Sequence, residues 1–163
     1  MNKYNYIGRN IPKPDAYDKV TGRAKYAGDL TMEGMLYGRA VRSPHAWADI
    51  LSIDTEDAER YPGVVCVLTA RDVPGVNKIG MCGTKDIPVL ADGRVLFHQQ
   101  AVAVIAAETL AAADAAAALV RVEYAPRTPL TDPMAAMAPD APQLHADKPG
   151  NICTQKLTEH GNV

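Results

Sequence analysis

The chain has 163 residues, 47% apolar and 22% charged, with 17 Lys and Arg against 19 Asp and Glu for a formal net charge of −2. A chain of this length makes one domain or slightly more and buries roughly 70% of its unfolded surface. The balance excludes a basic nucleic-acid footprint and an acidic disordered chain, the opening MNKYNYIGRNIPK has no apolar core of signal-peptide type, and no later run is long enough to span a bilayer.

In chain order, residues 1–17 carry Pro12, Pro14 and scattered tyrosines, the composition of an extended arm. Residues 18–22 read as a turn in which Gly22 supplies the positive φ. Lys25-Tyr26-Ala27 is a short strand candidate broken at Gly28-Asp29. A strand over 35–42 stops at Ser43-Pro44, because proline has no N–H for a ladder, and 49–53 is a second short strand. Asp54 is placed to cap a short helix from Thr55 to Tyr61, with Glu56 and Asp57 near its positive dipole end. Pro62-Gly63 ends that helix, 64–68 follows as a buried strand, and residues 69–72 form one capped helical turn. Residues 76–88 have no period and read as a long loop, a kind often functional in compact domains.

Residues 95–124 are the strongest structural signal. Asp92-Gly93 turns into them, His98-Gln99-Gln100 makes a polar break, and the apolar run 101–107 fits a buried strand. Thr109 caps a helix from Thr109 to Leu119 in which alanine dominates, and 120–124 alternates as a half-exposed strand should. After Tyr124, six prolines exclude long helices and central strands, although Asp132-Pro133 starts a turn or two of helix. The expected organisation is an arm (1–20), a folded domain (21–137) and a Pro-rich surface tail or linker (138–163).

The chemistry is mostly a set of absences. His45, His98, His145 and His160 share no metal-ligand spacing, no G-x-S-x-G elbow exists, and no metal or catalytic residue is assigned. A lone histidine such as His45 is expected to be a structural hydrogen-bonder. Cys66, Cys82 and Cys153 are far apart with no C-x-x-C, which signals neither a disulfide framework nor an iron–sulfur site and favours a reduced, cytoplasmic protein. The turn Ala107-Glu108-Thr109 has no glycine and places an acid where a pyrophosphate would sit, which argues against a dinucleotide site. Lys19 resembles the lysine of a carrier-domain hairpin only faintly and lies too near the terminus for the symmetric hairpin such turns need.

Taken together, however, these residues resemble a family. Gly8-Arg9, Asp15-Ala16, Lys19-Val20-Thr21-Gly22-Arg23-Ala24 and Tyr26-Ala27-Gly28-Asp29 are similar to the opening of molybdenum hydroxylase large subunits, the xanthine dehydrogenase and aldehyde oxidase family. The resemblance continues through Gly34-Met35-Leu36-Tyr37, Arg42-Ser43-Pro44-His45-Ala46, Pro62-Gly63-Val64-Val65, Asp72-Val73-Pro74-Gly75, Val89-Leu90-Ala91 and Val122-Glu123-Tyr124. It covers nearly the whole chain in order and spacing.

The resemblance implies an α+β fold, the α/β-hammerhead, with a mixed sheet and two main helices. It implies a structural, non-catalytic domain of a subunit that hydroxylates a purine-like heterocycle or an aldehyde. The molybdopterin-type cofactor is expected on downstream domains of the same chain, and iron–sulfur clusters and FAD on partner subunits. Residues 1–163 alone are then a fragment that binds no molybdenum cofactor, no nucleic acid and no membrane. Met81 and Cys82 correspond to a loop that approaches the substrate channel in family members, and both are expected to line it. Two positions depart from the pattern. Gln99-Gln100-Ala101 stands where the family has glycine, a polar residue and proline, and Trp47 replaces a second histidine, which favours packing, including against a partner domain. The alternative reading is a stand-alone hammerhead interaction module without molybdenum chemistry; a carrier domain built on Lys19 is the third.

Overall fold

The computed structural model describes residues 5–80 and 85–161, which fall into two compact units divided after Met35. The first holds a five-residue helix, α1 (Ala16–Val20), and a 3-10 turn, Ala27–Asp29. Helix α1 is held by local contacts: Lys19 pairs with Asp15 at 2.5 Å, the Thr21 hydroxyl donates to the Tyr17 carbonyl at 2.7 Å, and the Arg23 guanidinium lies 4.8 Å from the Tyr17 ring centroid. Residues 16–20 are therefore helical where arm and turn were expected, with Gly22 at φ +70° just beyond. The strand expected at Lys25-Tyr26-Ala27 is replaced by the 3-10 turn, because the Asp29 carboxylate accepts the Tyr26 N–H at 3.0 Å and bends the chain back.

The second unit contains β1 (Tyr37–Arg42), β2 (Ala48–Asp54), α2 (Glu56–Glu59), β3 (Val64–Thr69), β4 (Arg94–Val95), β5 (Ala101–Ala107), α3 (Leu110–Leu119), β6 (Arg121–Pro126) and α4 (Pro133–Ala136). These strands form two three-stranded sheets, ordered β1-β5-β3 and β4-β2-β6. The strands alternate between the sheets along the chain, odd in one and even in the other. Every pairing among them is antiparallel, so two antiparallel sheets stand where a mixed sheet was expected, while the α+β class holds. The strand–helix–strand reading of residues 95–124 also holds, but its strands enter different sheets. It is not a parallel βαβ unit.

Helix α3 forms as its composition requires. The Thr109 hydroxyl accepts the Ala112 N–H at 3.1 Å, and Ala112, Ala113 and Ala116 are buried. With no side chain beyond Cβ, these alanines let the helix lie close on β5, where Ile105 and Ala107 complete a cluster with Ala58 of α2. On the opposite face of β5, Val102 joins Ala48, Ala91 and Val95 against the second sheet. Strand β5 is therefore covered on both sides. Val41 touches both clusters from a register shift at Val41/Arg42.

The helix expected from Thr55 to Tyr61 is shorter than foreseen, four residues. Tyr61 precedes Pro62, and a residue before proline is disfavoured in the helical region, so the helix stops before it. Asp54 still accepts an early N–H, that of Glu56 at 3.1 Å. The turn at residues 69–72 is capped as foreseen: the Asp72 carboxylate accepts the Thr69 N–H at 2.7 Å and hydroxyl at 2.9 Å. Asp132 caps α4 by accepting the Met134 N–H at 2.9 Å. Beyond α4 the chain is mainly exposed and irregular, gathered by the Asn151 side chain, which accepts from Leu144 N–H and donates to the Ala136 and Pro142 carbonyls.

Two surface carboxylates tie elements together and set an acid limit. Asp114 on α3 pairs with Arg39 of β1 and is held below the ordinary carboxylate range chiefly by the Arg39 hydrogen bond. Asp72 is lowered by its bonds from the Thr69 N–H and then its hydroxyl. Because the folded state holds these protons less tightly than the unfolded chain, their stabilisation is complete above the unfolded value of about 3.9 and is lost as pH falls through the lower folded value. Asp114→Asn is therefore expected to lower Tm near neutrality, with the gap to the parent closing below about pH 4 in thermal melts.

Candidate functional site

Three features of the second unit gather polar groups. The first is the contact between residues 43–47 and 97–100. Ser43 is fully buried, its N–H donating to the Gln100 carbonyl at 2.9 Å and its carbonyl accepting the Gln99 N–H at 3.0 Å. Its hydroxyl accepts the His45 N–H at 3.0 Å. The Gln100 side chain, 2% exposed, accepts the Leu96 N–H at 2.7 Å. Burial raises the Tyr124 pKa, a shift opposed by a hydrogen bond from Ser43. The His45 ring meets Tyr124 edge-on at 5.0 Å, a packing contact where a hydrogen-bonding role was expected.

Gln99 occupies φ +68°, in the left-handed region that glycine adopts without steric cost. It stands where the family pattern has glycine, and the carbonyl, not the side chain, accepts from Arg42 at 2.9 Å. Gln99→Gly relieves the left-handed penalty but adds backbone entropy to the unfolded chain, so a net stabilisation of about 0.5 kcal/mol is expected in urea denaturation. A destabilised variant would show that the Gln99 side chain contributes more than its backbone costs.

The second feature is an open cleft of about 280 Å³ bordered by Ser52, Thr55, Thr69, Arg71 and Asp92. Asp92 is its single carboxylate, with no histidine or cysteine beside it, so the lining supplies no acid–base pair. The third is the base of the 76–91 segment. The Asn77 side chain donates to the Leu90 carbonyl at 2.8 Å and accepts the Leu90 N–H at 3.1 Å. Ile79 and Ile87 exchange a pair of backbone bonds, 2.7 and 3.1 Å. Met81 and Cys82, the residues expected to line a substrate channel, lie outside the described residues.

Lys19 sits on helix α1 and is paired with Asp15, not at a hairpin apex, so the carrier reading is withdrawn. Trp47 is 6% exposed within this chain, under the guanidinium of Arg127, whose carbon lies 5.6 Å from the ring centroid. Its packing partner is therefore internal. Among the described residues no three His, Cys, Asp or Glu side chains converge as a metal donor set. No helix of the described residues is long and apolar enough to cross a membrane. Sequence reasoning passed over Asn77, and it read Ser43 and Gln100 only as a strand stop and part of a polar break, not as buried hydrogen-bonding groups.

Two sheets crossed by one continuous chain and backed by an alanine-rich helix define a hammerhead-type domain. The chain belongs to the aldehyde oxidase and xanthine dehydrogenase family, whose a/b hammerhead domain model matches residues 21–128. It is 42% identical over 151 residues to a probable xanthine dehydrogenase subunit of Bacillus subtilis (strain 168), covering 93% of this chain and 20% of that one. It is 46% identical over 128 residues to the carbon monoxide dehydrogenase large chain of Afipia carboxidovorans, covering 77% and 16%. Among solved structures, the reconstituted CO dehydrogenase from Oligotropha carboxidovorans superposes with a TM-score of 0.78 at 39% identity, over 86% of this chain and 18% of that one. The chain thus spans about a fifth or less of these relatives.

Proposed function

We propose that this chain is the structural hammerhead part of a molybdenum hydroxylase large subunit, an oxidoreductase that hydroxylates a purine-like heterocycle or an aldehyde. The observation that carries this reading is the alignment of 93% of the chain, at 42% identity, with only 20% of a xanthine dehydrogenase subunit. Residues 21–137 form the hammerhead, 1–20 an arm, and 138–163 a tail leading toward the cofactor-binding region. That region holds a molybdopterin-type cofactor, and separate iron–sulfur and flavin subunits in the cytoplasm take the electrons. Residues 1–163 shape the approach to the reacting centre, with Met81 and Cys82 lining the channel. No step of the chemistry is assigned to them.

The test is to express the complete subunit with its companion subunits and measure bound molybdenum and the oxidation of purines and aldehydes. Molybdenum together with hydroxylation of either class is expected. A complete subunit with neither would overturn the reading, and turnover by residues 1–163 alone would overturn the structural role.

A further inference from the structure

Strand β4 accompanies β2 for only part of its length. The two pair at Ala48–Val95 and Asp49–Arg94, and the Ile50 N–H donates to the Gly93 carbonyl at 2.9 Å. Just before Gly93 the chain leaves β2 for the core: Ala91 is 1% exposed, and its N–H donates to the Ala101 carbonyl of β5 at 2.8 Å. Strand β2 continues to Asp54 and holds β6 on its other edge. Over residues 51–54 its second edge therefore has no partner strand among the described residues. The open cleft of about 280 Å³ lies there, bordered by residues 50–53 and by Thr69 and Arg71. Successive residues of a strand point to opposite faces, so a cleft bordered by four in a row runs along the edge of β2, where backbone N–H and C=O groups are offered. Folded proteins usually blunt such an edge with lysine, proline or a covering loop. Leu51, Ser52 and Ile53 carry neither charge nor proline, and Leu51 is 61% exposed.

The charge around this edge is one-sided. The bordering hydroxyls have committed their protons: Ser52 donates to Glu123 at 3.4 Å, Thr55 to Glu59 at 2.5 Å and Thr69 to Asp72 at 2.9 Å. Their oxygens can then only accept. Glu59, Asp72, Asp92 and Glu123 stand in no ion pair among the described residues. Against these carboxylates the lining supplies one cation, Arg71, which lies beside Asp72. We infer that the cleft is a docking groove for an extended, lysine- or arginine-bearing segment of a separate polypeptide, which adds to the free edge of β2 where β4 leaves it. Backbone pairing supplies the affinity, and the uncompensated carboxylates select a basic segment. The docking requires nothing of the molybdenum chemistry and stands apart from the functional reading above.

The experiment titrates the complete subunit with a capped peptide that alternates lysine and valine, followed by fluorescence anisotropy. Binding is expected, weakening with added salt, and a glutamate–valine peptide binds about tenfold more weakly or not at all. Asp92→Asn lowers affinity for the lysine peptide several-fold. In an alternating peptide the lysine N–H groups lie on one edge and the valine N–H groups on the other. N-methylation of one set is therefore expected to abolish binding and of the other to leave it, a readout that needs no variant of the protein. Bound peptide also slows hydrogen exchange of the free amides at 51–54 while those of β1 are unchanged. Equal binding of the two methylated peptides overturns strand addition, and absence of binding overturns the groove. Binding to residues 1–163 but not to the complete subunit shows the groove filled by the rest of its own chain and overturns the separate partner.

Discussion

Trp47→Ala is expected to cost about 3–5 kcal/mol of folding free energy, among the largest effects of any single substitution in the chain. The indole is 6% exposed, and Arg127 covers it while donating its backbone N–H to the Trp47 carbonyl at 2.9 Å. The Arg127 guanidinium is held in turn by Asp49, with Nε 2.6 Å from the carboxylate. Removing the ring leaves a void under an arginine tied at both ends, which cannot settle into it. Trp47→Phe behaves differently. The indole Nε1–H is buried without an acceptor among the described residues, so phenylalanine removes an unsatisfied donor while it removes area. The two effects oppose each other, and the variant is expected within about 1.5 kcal/mol of the parent. Trp47 is the single tryptophan, so unfolding in urea should be followed by circular dichroism. A loss below about 1 kcal/mol for Trp47→Ala would show that the site collapses freely.

Ile105→Ala probes the other core and is expected to cost about 3–5 kcal/mol, the upper part of the range for such truncations. Ile105 is fully buried at the centre of the three-stranded sheet β1-β5-β3, facing Ala58, Ala113 and Ala116. Alanines have no rotamers with which to fill the space, so relaxation would require α2 or α3 to move as a body. That argues for the upper half of the range. Leu68 on β3 is 41% exposed, and its truncation is the matched control, expected to cost about 1 kcal/mol or less. Equal losses at the two positions would refute the assignment of the core.

Local structure was legible where one short-range interaction decides it. Thr109 before a run of alanines, Thr69 three residues before Asp72, and Asp132 before Pro133 each produce the capped turn that their chemistry requires. The reading failed where distant groups decide. Nothing local tells that 101–107 and 121–126 enter separate sheets, because those choices depend on pairing with β1 and β3 in one case and β2 in the other. Lys25-Tyr26-Ala27 has strand-like composition, but the Asp29 side chain supplies a competing bond. Trp47 was legible as a packing residue, while its partner, 80 positions later, was not. Asn77 escaped for the same reason. Its partner lies 13 residues on, and a single asparagine in a polar loop carries no pattern.

The order in which β1 to β6 visit the two sheets bears on how the domain can be made and divided. No contiguous piece of the chain holds one complete sheet without strands of the other: the β1-β5-β3 sheet needs residues 37–107, and the β4-β2-β6 sheet needs residues 48–126. Neither sheet can close before the chain has emerged through most of the other. Assembly must therefore proceed late and jointly, through ring closures of roughly 35 to 65 residues, and folding should be slow for the size of the domain. A break between β2 and β5 would sever both sheets at once, so this unit has no internal seam at which evolution or a protease could separate a stable half.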